Sequence, residues 1–548
     1  MAAWSKASRF GSWFCVVAIL SGYVFLGRDG RHHWHEWRYL YSASNYSVKE
    51  LVSGQFDAGP PPERSREEVG AWYWGQIFHE LILAGLVRFS GQGTGALRVI
   101  EWTYGLMVVL AVLGAQLALR RLRLGQAPLL FGGIALISPL GTYLGFKLMA
   151  EVPAVLFAAA SLWLMSVVLT ARIPAVRLAC VVGAGAAAAL SFLSMVYMPL
   201  MILGFWAALL GVMGKELGYA RLLVYIGLAT LSATLSGAVI LCFYGLDLAD
   251  YVVMYQFFRA YKRPFAVSLF GVGMAGSLLY GLLPAAFFSK KVKQRTFCLV
   301  WLFFSVLPVL LFGSNYIEPR FLIVGFIPLA SLVALSVEVL TCRLPNLMAP
   351  TLSRTACMTL ALVLTGSVSY LSLPLMPFEM NSEELLQTAQ GIWKREPEAQ
   401  ILLPWNYTDY HFLRFAFPDK PVYLVQAPVT GSGEVVDDPA WRERQRQNYG
   451  ARYISESREL ARLLRRPIYY VGHGTLPPFK NLQALANLLG LTFVSQQIEA
   501  IKPMNHLAQS WMWNNKMFTF SLVSVVGEYR AYRVNPIVEN GGDLRLKN

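Results

Sequence analysis

Charge is what this sequence has little of. Of its 548 residues only 14% are charged and 55% are hydrophobic, where a soluble domain carries about 25% charged residues. Apolar runs recur along most of the chain, which excludes an ordinary soluble fold and reads as a polytopic membrane protein. Acid is the scarcer sign, with 32 Asp and Glu against 47 Lys and Arg and a net charge of +15. The excess does not indicate nucleic acid, because it falls in short clusters between apolar runs and forms no long basic stripe. Cysteine is also sparse. Cys15, Cys180, Cys242, Cys298, Cys342 and Cys357 lie in apolar runs or beside basic loops, so neither a disulfide nor a zinc framework is implied. There is no internal repeat of fixed period and no low-complexity tract. Gly431-Ser432-Gly433 lacks the preceding strand and following helix of a phosphate cradle.

What the chain does contain is membrane-length segments. Runs of about 17 to 25 residues bounded by charge are Phe10–Leu26, Val99–Leu119, Pro128–Lys147, Val152–Thr170, Leu178–Met195, Tyr197–Met213, Leu222–Tyr244, Val267–Phe288, Phe297–Phe312, Phe321–Leu340 and Thr355–Leu373. The first follows Lys6 and Arg9 but has no small-residue cleavage site behind it, and reads as an uncleaved span. With the N-terminus in the cytoplasm, every loop on that side is basic. These loops carry Arg120, Arg121 and Arg123; Arg172 and Arg177; Lys215 and Arg221; Lys290, Lys291, Lys293 and Arg295; and Arg343 and Arg354. An integral membrane protein of a bacterial inner membrane, with its C-terminal part outside the cytoplasm, is the expectation.

The opposite side then receives the loop 27–98 and everything after Leu373. Within the loop, Ala71–Phe89 reads as an amphipathic helix in the bilayer interface, with Trp72, Tyr73 and Trp74 at headgroup level and His79 at the water surface. The chain divides into a membrane module, 1–373, and an external α/β domain, 374–548. In the latter, Ser382–Lys394 and Trp441–Arg465 read as helices, the second very basic. Ile401–Pro404, Val422–Val425 and Pro467–Val471 read as buried strands, and Phe518–Val526 with Glu528–Val534 as a hairpin turning at Gly527.

Ionisable residues near membrane depth are costly, so their placement carries information. On the external side they are Glu36 and Arg38 after the first span and Lys147 and Glu151 between the third and fourth. Arg259, Lys262 and Arg263 follow the seventh, and Glu318 and Arg320 precede the tenth. Four separate segments thus bring carboxylates and cations to one membrane face. That set suits an anionic lipid phosphate held by cations and an acceptor hydroxyl deprotonated by a carboxylate. Each residue also has an ordinary reading. Glu36 can pair with Arg31 or Arg38 in a loop, Glu151 suits a helix N-terminus by its dipole alone, and Arg259, Lys262 and Arg263 can anchor a helix by snorkelling. Three histidines, His32, His33 and His35, on what reads as a flexible turn make a weak metal set.

In order along the chain stand His35-Glu36-Trp37-Arg38-Tyr39, Tyr73-Trp74, Arg120-Arg121, Ser138-Pro139 through Lys147 to Glu151-Val152-Pro153, and Glu318-Pro319-Arg320-Phe321-Leu322 leading to Pro328. Over roughly Phe10 to Leu373 this series resembles the GT-C fold glycosyltransferases. The likeness is to the group of protein O-mannosyltransferases and lipid A aminoarabinose transferases, which take sugar from a polyprenyl-phosphate or dolichyl-phosphate carrier. The sequence departs from that group where His35 stands for the first acid of an acidic pair. It also lacks a lysine-proline-proline before Tyr73, and reads Ser194-Met195-Val196-Tyr197 where relatives often have a lysine.

The apolar runs make about eleven spans, and the resemblance implies an inverting transferase. Glu36 is then the catalytic base or positions the acceptor, and Glu151 is the second acid, orienting the acceptor or a cation. Arg320 with Arg259, Lys262 or Arg263 holds the donor phosphate, while His35, Arg38, Tyr39, Lys147, Tyr316 and Glu318 line the site. The partners implied are a polyprenyl-phosphate sugar, a lipid, glycan or protein acceptor, and the bilayer; no cofactor and no metal is expected. The rivals are a polymerase or ligase using a diphosphate-lipid donor, a solute or lipid transporter, and an inactive relative that kept the fold.

Overall fold

The computed structural model describes residues 2–27, 31–33, 40, 43–44, 77–124, 128–244, 283–312, 323–343, 350–372, 379–404, 407–425, 453–454, 463, 465–473, 518–527 and 529–536. The long helices are α1 (Ala2–Gly27), α2 (Ile77–Ser90), α3 (Thr94–Arg121), α4 (Pro128–Ile137), α5 (Pro139–Leu144), α6 (Glu151–Thr170), α7 (Pro174–Ser194), α8 (Pro199–Leu217), α9 (Tyr219–Tyr244), α10 (Val292–Phe312), α11 (Phe326–Arg343) and α12 (Pro350–Ser372). Among the described residues, six segments are long and apolar enough to cross a membrane, namely α3, α6, α7, α8, most of α9, and Ile323–Leu340. The expected span Val267–Phe288 lies outside the described residues except for its last turn.

The outer surface of these helices is what lipid requires. On α3 the exposed residues Val99, Trp102, Leu106, Leu110, Leu113 and Leu117 recur every three or four positions, an apolar stripe on one helix face. Only 6% of the most apolar stretch of α9 is buried, against 83% for Ile323–Leu340. An apolar face of that extent would drive association in water, but is at home in a bilayer. The chain is a polytopic membrane protein.

Inside the bundle, α6 lies between α3 and α7, α9 packs on α7, and α8 packs on α10. Small residues set the close approaches, as is common where lipid removes the hydrophobic drive between helices. A Cβ at Gly185 of α7 would run into the Ala229 carbonyl of α9. Ser232 Oγ of α9 donates to the Val182 carbonyl of α7 over 2.9 Å, and Ser191 Oγ of α7 to the Ala154 carbonyl of α6 over 2.9 Å.

The expected third span is not one helix. It breaks between α4 and α5, where Pro139 has no N–H to continue the ladder and the Ser138 side chain accepts from Gly141 N instead. Residues 145–150 then follow without helix.

The basic loops converge on one end. Arg121 at the end of α3 donates to Thr170 Oγ1 at the end of α6 over 3.2 Å, and Arg221 reaches the Leu169 carbonyl. Lys293 pairs with Glu216, and Lys291 with Glu338 at 2.7 Å. At the other end sits a small α/β unit. Its helices are α13 (Ser382–Arg395) and α14 (Tyr407–Ala416), and its strands include β3 (Gln400–Pro404), β4 (Val422–Val425), β5 (Tyr453–Ile454), β6 (Ile468–His473), β7 (Phe518–Val526) and β8 (Tyr529–Pro536). The sheet order is β5-β4-β3-β6-β8-β7, with the β3, β4, β5 and β6 pairs parallel and the β7–β8 hairpin antiparallel. Gly527 turns that hairpin at φ 54°, a conformation glycine adopts at little cost.

Two expectations are corrected in this region. Trp441–Arg465 is not one helix, since Tyr453–Ile454 is a strand beside β4; an aromatic and a β-branched residue favour a strand. Nor are His32 and His33 in a free turn. Arg31–His33 (β1) pairs antiparallel with Glu379–Asn381 (β2), stitching the segment after α1 to the segment after α12. Gly93 N, at the start of α3, also donates to the Phe415 carbonyl of α14 over 2.8 Å.

Candidate functional site

The end that carries the α/β unit is where charge is buried. Lys147 and Glu151 are both 1% exposed, in a segment and helix start that belong to the membrane bundle. Glu151 opens α6, so its carboxylate lies at the positive end of that helix's dipole. The hydroxyl of Tyr197, in the turn between α7 and α8, donates to Glu151 Oε1 over 2.8 Å. Lys147 Nζ lies over the ring of Tyr143 of α5, 5.0 Å from its centroid, a cation–π contact strengthened by exclusion of water.

The backbone that delivers these two residues is held under strain. Phe146 sits at φ +63°, the left-handed region that costs a residue with a Cβ roughly 1–2 kcal/mol. Aromatic and glycine packing holds it there. Its ring meets Tyr23 at 5.3 Å and Trp102 at 5.1 Å, and a Cβ at Gly105 would come within 2.6 Å of it. Tyr23 Oη in turn donates to the Gly105 carbonyl over 3.2 Å. The C-terminal end of α1, the residue before Lys147 and the third and fourth turns of α3 therefore form one interlocked unit.

That unit fixes where the first external segment departs. It leaves α1 at Gly27, whose own Cβ position abuts Phe146, enters β1, and returns to the bundle core at Leu40 and Ala43. Glu36, His35, Arg38 and Tyr39 lie between these anchors, outside the described residues, as do Arg259, Lys262, Arg263, Tyr316, Glu318 and Arg320. Of the residues singled out in the sequence, the structure thus describes Lys147 and Glu151 and brings both to the same buried end.

Three groups there were not anticipated. Tyr197 occupies the stretch noted for lacking a lysine, and its hydroxyl serves the carboxylate instead. His79 and Glu80 of α2 are 0% and 2% exposed, which overturns the placing of His79 at the water surface. The helix is apolar on most sides, with Leu83, Ala84 and Val87 also buried, and it packs on α3 and α7. His79 meets Tyr104 edge-on at 5.9 Å, and Phe78 meets Phe157 of α6 at 5.3 Å. Periodicity showed an amphipathic helix, but not which surface its polar residues would face. Among the described residues, no group of three His, Cys, Asp or Glu side chains could hold a metal ion.

No family model matches this chain, and no curated protein matches it in sequence. Solved structures align with much of this chain at low identity. That of ArnT from Cupriavidus metallidurans, bound to undecaprenyl phosphate, covers 95% of this chain and 97% of its own at 11% identity, with a TM-score of 0.49. The oligosaccharyltransferase of Archaeoglobus fulgidus, tethered to an acceptor peptide, covers 85% and 70% at 11% identity and a TM-score of 0.43. The archaeal oligosaccharyltransferase AglB from Archaeoglobus fulgidus, with an inhibitory peptide and a dolichol-phosphate, covers 85% and 70% at 12% identity and a TM-score of 0.45.

Proposed function

We propose that this protein is a membrane glycosyltransferase of GT-C type, moving a hexosyl or pentosyl group from a polyprenyl-phosphate carrier to an acceptor hydroxyl outside the cytoplasm. The observation that carries the reading is the buried Lys147 and Glu151 at the end of the bundle remote from the basic loops. Charge buried at headgroup depth is expensive and marks function in membrane proteins. The five ordered motifs supply the chemistry.

In the proposed reaction Glu36 accepts the proton of the acceptor hydroxyl as its oxygen attacks the anomeric carbon. The bond from that carbon to the phosphate oxygen breaks, and polyprenyl phosphate departs with the bonding pair. One in-line displacement inverts the anomeric centre. Arg320, with Arg259, Lys262 or Arg263, neutralises the leaving phosphate. Glu151, oriented by Tyr197, positions the acceptor, and Lys147 adds positive charge beside it. No metal is assigned a role.

The test uses membranes containing wild type, Glu36→Gln or Glu151→Gln, supplied with radiolabelled polyprenyl-phosphate sugars. Wild type is expected to strip label from the lipid fraction, and Glu36→Gln to do so at least about 100-fold more slowly, the usual worth of a general base. Folded wild type that turns over none of these donors would sink the reading in favour of a diphosphate-lipid enzyme or an inactive relative.

A further inference from the structure

A second concentration of charge lies away from Lys147 and Glu151, in the α/β unit. A cavity of about 470 Å³ opens there, lined by Arg414, Lys420, Arg465 and Arg466, with Tyr423 and Asp419. Four cations face one carboxylate. Among the described residues none of the four has a carboxylate within ion-pair distance, although other cations of the chain do. Arg414 and Lys420 donate to backbone carbonyls and Arg465 and Arg466 are exposed, so like charges crowd a concave surface and raise the local concentration of anions there.

The site is built rather than accidental. β4 and β6 flank β3 on either side, and each is preceded by a cation followed by proline, Lys420-Pro421 and Arg466-Pro467. Both turns are pinned to β3. Ile401 N donates to the Pro421 carbonyl over 3.1 Å and Gln400 N to the Pro467 carbonyl over 2.8 Å. The Gln400 side chain, 4% exposed, adds a bond to the Leu463 carbonyl over 2.8 Å. Lys420 Nζ is held by the Pro397 carbonyl at 2.9 Å. Cations on backbone fixed in this way lose little freedom on binding.

The cavity is also joined to the membrane bundle. Arg414 directly precedes Phe415, whose carbonyl accepts from Gly93 at the start of the membrane-crossing α3. One wall of the cavity is thus tied to the N-terminal end of α3. The geometry points to a binding site for a phosphate group, presented by a lipid headgroup or by a free phosphate. Arginine forks match phosphate oxygens two at a time, and the charge surplus suits a dianion. The inference does not depend on the glycosyltransferase reading.

The test takes the full chain in detergent and counts phosphatidic acid molecules retained in native mass spectrometry, with phosphatidylcholine as the neutral reference. Inorganic phosphate is added as competitor. Arg465→Gln/Arg466→Gln is expected to weaken phosphatidic acid retention about tenfold or more, the worth of about one charge-assisted bond. Lys420→Gln should act in the same direction, and Arg530→Gln, on the same unit but outside the cavity, should change nothing. Displacement by millimolar inorganic phosphate assigns the site to phosphate itself. Resistance to it assigns the site to the lipid headgroup with its chains. Unchanged retention in both cavity variants, or an equal loss in Arg530→Gln, overturns the site.

Discussion

A single hydroxyl carries much of the candidate site. Tyr197 reaches Glu151 across two helices, and a hydrogen bond to a charged group contributes about 1.5–3 kcal/mol. Tyr197→Phe is therefore expected to lower transfer about tenfold or more while leaving membrane insertion intact, read as turnover of labelled donor per mole of folded protein; full activity would remove Tyr197 from the site. Another residue makes the α/β unit sensitive to acid. Burial, and secondarily Arg414, pull His411 of α14 down to about 3. The fold keeps it neutral, whereas the unfolded chain binds a proton below about 6.5. The unfolded state thus holds more protons between those values, so stability is complete near neutrality and declines as pH falls below about 6, by roughly 1.4 kcal/mol per pH unit. Thermal unfolding of the full chain at pH 7 and pH 4.5 checks this. His411→Asn should flatten the dependence, and an unchanged slope would assign it to other groups.

Among the elements, the pairing of α7 with α9 is the most demanding. Gly185 admits the Ala229 carbonyl so closely that any Cβ must push the helices apart. Gly185→Ala is expected to cost about 1–3 kcal/mol by overpacking, seen as a lower melting temperature in detergent. Gly227→Ala on the neighbouring helix meets nothing within 4 Å and should be neutral or slightly stabilising by helix propensity. The break between α4 and α5 serves a different purpose. A continuous helix from Pro128 to Lys147 would have left no room for the strained turn at Phe146 that sets Lys147 and Glu151 into the bundle.

At the scale of the molecule, the two ends differ in kind. One gathers basic loops cross-linked at the helix ends. The other gathers buried charge, the strand pair β1–β2 and the α/β unit. The positive-inside tendency predicts the first to be cytoplasmic. With the native cysteines replaced by alanine, a cysteine at Asp419 should be labelled by an impermeant maleimide in intact cells and one at Arg123 only after permeabilisation. The reverse pattern would invert the topology and remove the proposed external site.

Sequence by itself determined what depends on composition and period. Apolar length marked the helices, short apolar runs bounded by Pro and Gly marked strands of the α/β unit, Gly527 marked the hairpin turn, and basic loops give an expected sidedness. Those properties are local, so a window of residues contains them. Tertiary structure alone decided which polar groups were taken inside. The inward aim of His79 and Glu80, the bond from Tyr197 to Glu151 and the pairing of Arg31–His33 with Glu379–Asn381 join segments far apart in the chain. The same holds for the cation cavity, whose two Pro-bounded turns become neighbours only because β4 and β6 both align beside β3. Burial and strand order arise from packing the whole chain, and no local pattern encodes them.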